Sequence, residues 1–225
     1  MTRAGLVALV PMRHSSERVV GKNYRVLGDR PLFHHIVSTL LAVPRIDRVV
    51  IDTDSDAIAK SAAEAFPEVQ VIERPERLRG GDVPMNNVLL HDIDVVDGEL
   101  YLQTHSTNPL LSSKTIGEAL AAFDAAKDSD SLFTVTPLQT RLWTPDGQAI
   151  NHDPNVLLRT QDLPPVMEEN SCLYVFSGDL LRTRQNRIGE RPLLFPLSPE
   201  EAWDIDEEID WTVVEALYAA RERER

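Results

Sequence analysis

Short apolar runs alternate with amphipathic segments along the first 137 residues of the chain. Five runs predict strands, and they cover residues 6–10, 48–54, 69–73, 99–104 and 131–137. The first two have the composition of strands buried on both faces. Four segments between them carry apolar residues at helical spacing, and they cover residues 31–43, 55–66, about 84–95 and 113–127. This alternation predicts an α/β fold with a mostly parallel, Rossmann-like sheet and helices on both faces.

The pattern changes between residues 138 and 170, where the sequence is rich in turn residues and only weakly periodic. A Pro-Asp-Gly sequence at 145–147 predicts a hairpin turn within this segment. Strand character returns at 172–177, and a last helix is predicted from Glu208 onwards. With 225 residues the chain suits one large domain, in which 138–170 forms an edge or dimerisation excursion.

Charge and composition limit the kinds of molecule that the protein is expected to bind and the compartment that suits it. The formal net charge is -13 at pH 7, which disfavours nucleic acid or an anionic membrane as the main partner. No run approaches the roughly 20 apolar residues that a membrane-spanning helix needs. The single cysteine, Cys172, rules out an internal disulfide and suits a buried position in a reducing compartment. We therefore expect a soluble, cytoplasmic protein.

The loop after the first strand is basic although the chain is acidic. Arg13, Arg18 and Lys22 lie within ten residues of one another, with Ser15 and Ser16 between them. The loop ends in a Gly-Lys-Asn sequence that lacks the spacing of a P-loop. Because ligands bind parallel sheets at the carboxyl ends of strands, these groups predict an anion site, and a solvated loop with incidental charges is the alternative.

Acidic residues concentrate near the other end of the chain. Asp204 and Asp206 flank Ile205, so in an extended segment both carboxylates point the same way and suit one hard divalent cation. The alternative is that these acids favour the N-terminus of the last helix. Asp52 and Asp54 have the same spacing, which is typical of metal-dependent glycosyltransferases, but for them structural roles beside a helix start are favoured.

The six histidines show no zinc-binding spacing, and His105 stands out because it follows the strand 99–104. The sequence has neither a Gly-x-Ser-x-Gly nucleophile elbow nor a Gly-x-Gly-x-x-Gly dinucleotide loop. Their absence disfavours hydrolases of that type and dehydrogenases.

Four segments together resemble the acylneuraminate cytidylyltransferase family, the CMP-sialic acid synthetases. The segments are MRHSSERVVGKN at 12–23, QTHSTNPLL at 103–111, RTQDLPPVMEENSCLYVF at 159–176 and WDIDEEID at 203–210. They follow the order of the family's motifs and span nearly the whole chain. The resemblance implies a nucleotidyltransferase fold, CTP and a small acidic sugar as substrates, Mg²⁺ as cofactor, and a homodimer.

The resemblance also implies roles for individual residues. Catalysis is assigned to Arg13, Lys22 and Asp206, and the metal to Asp204 and Asp206. The residues implied for nucleotide binding are Arg13, Ser15, Arg18, Lys22, Asn23 and Asp82. The residues implied for the acceptor pocket or its support are His105, Thr107, Arg159, Gln161, Asp162 and Asn170. In this scheme a hydroxyl of the sugar acid attacks the α-phosphorus of CTP, and pyrophosphate leaves.

Four positions depart from the family pattern. Glu17 stands where a lysine is common, Leu111 replaces an arginine, Met167 a tyrosine and Ser171 a glycine. Losing an arginine and gaining an acid alters carboxylate recognition, so a Kdo-like 2-keto acid or a phosphonate is an alternative acceptor. A glycosyltransferase on a related fold and a nucleotide-binding regulator without turnover are also compatible with the sequence.

Overall fold

A seven-stranded sheet forms the centre of the protein. The computed structural model describes residues 5–224 of the chain. The strands of these residues are β1 (Leu6–Met12), β2 (Val26–Leu27), β3 (Arg30–Pro31), β4 (Arg48–Thr53), β5 (Gln70–Glu73), β6 (Leu100–Thr104), β7 (Ser131–Leu138), β8 (Val166–Ser177) and β9 (Pro192–Pro196). β2 and β3 form a separate hairpin, and the other seven strands form the large sheet.

The order of the strands in the large sheet is β5-β4-β1-β6-β8-β7-β9. β1 pairs in parallel with both β4 and β6, and β8 alone runs antiparallel to its neighbours. All seven residues of β1 are buried, as its continuous apolar run predicts. The carboxyl ends of β4, β1 and β6 therefore meet at one edge of the sheet, which confirms the predicted mostly parallel α/β architecture.

Six α-helices accompany the sheet within residues 5–224. They are α1 (Leu32–Leu41), α2 (Asp56–Ala65), α3 (Met85–Val95), α4 (Ser113–Ala125), α5 (Gly178–Arg184) and α6 (Glu208–Glu224). Ser55 and Ser112 begin α2 and α4 by accepting hydrogen bonds from Ile58 N and Thr115 N. None of the helices in residues 5–224 combines the length and the apolar character that crossing a lipid bilayer requires.

The helices cover both faces of the sheet. On one face, Phe33 of α1 and Ile116 of α4 belong to the largest buried apolar cluster. On the other face, Leu89 of α3 and Leu181 of α5 pack in a second cluster. A third cluster joins Trp211 of α6 to the segments that follow β1 and β6. This third cluster holds the C-terminal part of the chain against the carboxyl edge of the sheet.

The structure corrects several sequence-based boundaries. β8 begins at Val166, where it pairs with Leu138 of β7, so residues 166–170 belong to the sheet and the excursion covers 139–165. Its hairpin turn is present, with Gly147 at a φ of 85° between the bridged residues Trp143 and Ala149. The short elements α5, β9 and the β2–β3 hairpin were not predicted, because each is too short to show a periodic pattern.

Candidate active site

A cleft of about 430 Å³ opens where β1 and β6 end. Its walls come from the loop after β1, the loop after β6, and the segment between β5 and α3. The predicted site residues that line it are Arg13, Ser15, Arg18, Lys22, Asn23, His105 and Thr107. The topology therefore brings most of the predicted nucleotide-binding residues to one place.

Lys22 is presented to the cleft by a tight turn. Gly21 has a φ of 65°, a left-handed conformation that favours glycine, and it starts a 3₁₀ turn over Lys22–Tyr24. Lys22 Nζ donates to the Ile205 carbonyl oxygen at 2.6 Å and lies 3.6 Å from Asp206 Oδ1. The end of the basic loop therefore reaches the acidic segment that lies almost two hundred residues away in sequence.

Arg18 reaches the same carboxylate. Its Nη2 donates to Asp206 Oδ1 at 2.8 Å. The two cations differ in environment, since the Arg18 side chain is 60% exposed and the Lys22 side chain only 12%. The interaction of Lys22 with Asp206 is accordingly less screened by solvent than that of Arg18.

Asn23 ties the two loops of the cleft together. Its Nδ2 donates to the Arg13 carbonyl oxygen at 2.8 Å, and its Oδ1 accepts from Ser106 Oγ at 2.6 Å. Both ends of the amide are thus occupied within the protein. The geometry makes Asn23 a residue that positions Arg13, and its predicted contact with the nucleotide stays a prediction.

Asp204 and Asp206 border a second cavity of about 550 Å³, together with Glu168, Glu169 and Asn170. Ile205 between them is fully buried, as the alternation in an extended segment requires. Burial raises the pKa of Asp204, and the charge of Asp206 adds to this effect. A hydrogen bond from Thr107 and the charge of Lys22 act on this pKa in the opposite direction.

The acidic segment suits a divalent cation. Asp204 Oδ1 is buried and has no hydrogen-bond partner within residues 5–224, so it keeps an unused acceptor beside the cavity. Asp210 caps α6 instead, because its Oδ2 accepts from Asp206 N at 3.0 Å and from Glu207 N at 2.8 Å. The capping role thus falls to Asp210, and the carboxylates of Asp204 and Asp206 fit the oxygen ligands that Mg²⁺ prefers.

A family model described as Cytidylyltransferase matches residues 7–206, which include all of β1 except Leu6, both loops of the cleft and the acidic pair. The chain belongs to the cytidylyltransferase family. It is 25% identical over 223 residues to post-translational flagellin modification protein B of Campylobacter coli, covering 94% of each chain. It is 27% identical over 229 residues to CMP-N,N'-diacetyllegionaminic acid synthase of Legionella pneumophila, covering 94% of this chain and 95% of the relative.

The fold is also found among solved structures. The structure of CMP:2-keto-3-deoxy-manno-octonic acid synthetase with CTP superposes with a TM-score of 0.69 at 16% identity, over 97% of this chain and all of the other. A 4-diphosphocytidyl-2C-methyl-D-erythritol synthase from Anaerococcus prevotii gives a TM-score of 0.69 at 12% identity, over 96% of both chains. The family and the fold together make the chain a nucleotidyltransferase.

In this cytidylyltransferase the carboxylates of Asp52 and Asp54 face different neighbours, so they do not form a shared metal site. Asp54 Oδ1 accepts from His14 N at 2.7 Å and anchors the basic loop, while Ser55 caps α2. Asp52 is buried and paired with Arg74 Nε. Asp52 and Asp54 therefore have structural roles, as the sequence favours, but the residue that caps α2 is Ser55 and not Asp54.

Asp52 belongs to a buried cluster at the end of β4. Its carboxylate, the His91 ring and the Asp92 carboxylate each offer a ligand atom within 4.8 Å of the others, the single such group of three within residues 5–224. The guanidinium of Arg74 already supplies a positive charge here, which opposes a second cation. Burial, with the charge of Asp52 and a hydrogen bond to it, raises the pKa of Asp92 to about 9, so the two carboxyl groups share a proton at neutral pH.

Some predicted acceptor residues lie outside both cavities. Arg159 and Gln161 are on the excursion, and Arg159 forms hydrogen bonds of 2.7 and 2.9 Å with Asp162. Asp82, predicted for the nucleotide, is exposed beside Gly81, which does line the cleft. Within one chain, Arg159 and Gln161 therefore line neither cavity, and the predicted contact of Asp82 with the nucleotide stays a prediction.

Asn170 does lie at the second cavity, but its amide is engaged within the sheet. Its Oδ1 accepts from Thr134 Oγ1 at 2.7 Å and its Nδ2 donates to Thr136 Oγ1 at 3.1 Å. Its neighbour Ser171 has a φ of 58°, a backbone conformation that suits the glycine found there in the family pattern. The predicted contact of Asn170 with the acceptor stays a prediction.

The remaining departures fall into three environments. Leu111 is 1% exposed and belongs to the largest apolar cluster, so its side chain is part of the core and not of the cleft. Glu17 lines the cleft, and Met167 is exposed on β8. The position that the pattern fills with arginine therefore does not line the cleft in this chain.

Sequence reasoning missed three polar residues beside the cleft. Arg74 lines it from the segment after β5 and is 2% exposed. Arg187 donates a hydrogen bond to Gln103, and Gln103 in turn forms a hydrogen bond with His105. Gln103 lies in the segment 103–111 that resembles the family's motif, whereas Arg74 follows β5 and Arg187 follows α5 in segments without a periodic pattern.

Proposed function

We propose that the protein transfers the cytidylyl group of CTP to a hydroxyl of a sialic-acid-like 2-keto sugar acid, giving a CMP-sugar and pyrophosphate. The hydroxyl oxygen forms a bond to the α-phosphorus, the bond from that phosphorus to the β-phosphate oxygen breaks, and the hydroxyl proton is released. The observation that supports this proposal is that Lys22 and Arg18 both pair with the carboxylate of Asp206 at the edge of the cleft. A triphosphate needs cations to neutralise it, and a metal ion that supplies part of this charge would need carboxylates to hold it.

In this scheme the basic loop binds the phosphates. Arg13, Arg18 and Lys22 neutralise charge on the triphosphate and on the departing pyrophosphate. Asp204 and Asp206 would hold Mg²⁺, which when bound supplies further charge neutralisation and orients the phosphate oxygens. The protein's part is mainly to position the two substrates, because phosphoryl transfer asks for little other covalent chemistry.

The acceptor is assigned to the second cavity. Its acidic wall, with Glu168 and Glu169, suits the hydroxyl groups of a sugar as hydrogen-bond donors. The acid group of the sugar would then point toward the basic side, near Lys22 and His105. A sugar acid agrees with the names of relatives such as the legionaminic acid synthase. The buried Leu111 favours keeping a Kdo-like acid or a phosphonate as a second candidate.

We propose a cytoplasmic homodimer, and the excursion supports the dimer. It exposes large apolar side chains within 139–165, with Leu157 90% and Trp143 50% exposed. Pairing with a second copy would cover them and would allow Arg159 and Gln161 to approach the partner's acceptor pocket. Light scattering should give twice the mass of the chain, and Leu157→Asp should shift the protein toward the mass of one chain. A single-chain mass for the unaltered protein would contradict the dimer.

The function is tested by a pyrophosphate-release screen of CTP, UTP and ATP against 2-keto sugar acids and a phosphonate. We expect release with CTP, Mg²⁺ and one of the acids. A glycosyltransferase would release no pyrophosphate, and a regulator would bind CTP without turnover. Asp206→Ala should abolish release while the protein stays folded, whereas Asp128→Ala, an exposed acid after α4, serves as the matched control. Near-normal turnover of Asp206→Ala would reject the metal assignment.

A further inference from the structure

A chain of three polar side chains runs from Arg187 through Gln103 to His105. Arg187 Nη1 donates to Gln103 Oε1 at 2.6 Å, and Gln103 Nε2 lies 3.0 Å from His105 Nε2. Gln103 is fully buried on β6, whereas His105 lines the cleft. The chain thus links a guanidinium behind the sheet edge to the wall of the candidate active site.

Two neighbours set the orientation of the Gln103 amide. A guanidinium can only donate, so the amide atom that faces Arg187 must be the carbonyl oxygen. The Thr104 carbonyl oxygen can only accept, and it lies 3.2 Å from Gln103 Nε2. Rotating the amide by half a turn would set donor against donor at Arg187 and acceptor against acceptor at Thr104. One orientation is therefore strongly favoured.

This orientation decides which nitrogen of His105 carries the proton. Gln103 Nε2 is a donor, so His105 Nε2 is the acceptor and is unprotonated. The proton of the neutral ring then resides on Nδ1, which has no hydrogen-bond partner among residues 5–224. We infer that Arg187 and Gln103 hold His105 in the Nδ1–H form, so that it donates a hydrogen bond to an anionic oxygen of the substrate and does not act as a general base.

The surroundings keep this ring neutral. Burial lowers the pKa of His105 to about 3, and the charges of Arg187 and Lys22 act in the same direction. Arg187 is itself fixed, because its guanidinium stacks on the Tyr174 ring at 3.6 Å from the centroid. The Tyr174 hydroxyl donates to Glu169, which restrains the ring beneath the guanidinium. Arg187 and Gln103 are thus positioning residues, and His105 is the group that contacts the ligand.

The identity of the ligand oxygen rests on the proposed function. A neutral donor beside Lys22 suits a phosphate oxygen of CTP or the carboxylate of the acceptor acid equally well in chemical terms. It adds direction to the binding of an anion without adding charge. The protonation state of the ring can be measured with no substrate present, so its test does not depend on turnover.

The test is a long-range ¹H–¹⁵N NMR spectrum of protein labelled with ¹⁵N-histidine, which separates protonated from unprotonated ring nitrogens. The chain has six histidines, and the signals lost in His105→Asn identify those of His105. We expect a protonated Nδ1 and an unprotonated Nε2 at neutral pH. A proton on Nε2, or a doubly protonated ring, would overturn the inference.

Titrations then identify the bound oxygen. A shift of the His105 Nδ1 resonance on adding CTP alone would assign the phosphate, and a shift only with N-acetylneuraminate or 3-deoxy-manno-octulosonate would assign the carboxylate. Both outcomes support the donor role. No shift with either class at saturation, measured independently by calorimetry, would overturn it.

The variant Gln103→Glu should change which nitrogen of His105 carries the proton. Glutamate still accepts from Arg187, but its second oxygen can only accept, so the proton of His105 should move to Nε2. We expect this tautomer change together with a loss of about tenfold in pyrophosphate release, the effect of one hydrogen bond. Gln148→Glu, an exposed substitution on the excursion with the same charge change, should leave the His105 signals in place. A folded Gln103→Glu protein in which Nε2 of His105 stays unprotonated would contradict the relay, and the spectrum of the unaltered protein tests the inference by itself if this variant does not fold.

Discussion

Replacing Asp92 with asparagine should stabilise the protein at neutral pH. Asp92 lies on α3 without exposed surface and faces Asp52, and neither of its oxygens receives a hydrogen bond from any other group within residues 5–224. Two carboxylates in contact need a proton between them, and burial raises the pKa of Asp92 to about 9 from an ordinary 3.8. Asparagine has nearly the same shape, and its Nδ2 can donate to Asp52 Oδ2, which otherwise has no partner in the described residues.

The magnitude follows from linkage between proton binding and folding. The unfolded chain releases the Asp92 proton near its ordinary pKa of 3.8, while the folded protein keeps it until about pH 9. The stabilising contribution is therefore complete below about pH 4 and is lost as the pH rises through this window, at about 1.4 kcal/mol per unit. At pH 7, about three units above the ordinary value, folding with Asp92 costs up to about 4 kcal/mol, and Asp92→Asn removes this cost.

The assay is urea unfolding followed by circular dichroism across a range of pH. Asp92→Asn should raise the free energy of unfolding at pH 7 and flatten its decline toward alkaline pH, with little difference near pH 4. Asp94→Asn, whose carboxylate on the same helix is 66% exposed, is the matched control and should change the free energy by no more than about 0.5 kcal/mol.

A contrasting variant sharpens the test. Asp52→Asn removes the partner of the buried Arg74 guanidinium and should destabilise the protein by about 3–5 kcal/mol. If Asp92→Asn lowers stability at pH 7 and leaves the pH dependence unchanged, the two carboxyl groups do not share a proton and the account of the cluster is wrong.

Three further predictions concern the cleft and the residues around it. Gly21→Ala should lower the free energy of unfolding by about 1–2 kcal/mol in urea melts, because a Cβ in this left-handed conformation would lie 2.8 Å from Tyr24; an unchanged melt would contradict the assigned turn. Ser171→Gly should raise it by up to about 1 kcal/mol, since Ser171 also has a positive φ; a loss of stability would show that its hydroxyl matters more. Lys22→Gln should lower pyrophosphate release by about 100-fold and Arg18→Gln by about tenfold, because Lys22 is the less exposed; the reverse order would contradict the electrostatic argument.

Much of the architecture could be predicted from local patterns. The run at 6–10 predicts a buried central strand because consecutive apolar residues suit only a strand covered on both faces, and β1 is that strand. The alternation at 204–206 predicts that Ile205 faces the core, which it does. The order of the motifs predicts the cytidylyltransferase family, and the family model confirms it over residues 7–206.

What could not be predicted depends on contacts between distant segments. Asp52, Arg74 and Asp92 come from β4, the segment after β5, and α3, so no spacing in the sequence predicts their cluster. Arg187 follows a seven-residue helix, and only the fold brings it to Gln103. The periodic pattern of a single sequence predicts which face of a helix or strand a residue occupies, but it does not predict which distant residue contacts it.

In the proposed function, two buried networks would order the site that binds the anionic substrates. Arg74 is held by Asp52 on β4, and Arg187 is held at Gln103 on β6, so each arginine is fixed to a strand that flanks β1. In a region of low dielectric constant, a buried charged group that loses its partner destabilises the protein strongly. The buried contacts of Arg74 and Arg187 therefore restrict the orientation of these side chains more than solvent-exposed contacts would. Arg18, by contrast, is exposed, so solvent screens its pairing with Asp206. Substitutions in the buried networks should accordingly change geometry and tautomer, whereas substitutions such as Arg18→Gln should change charge alone.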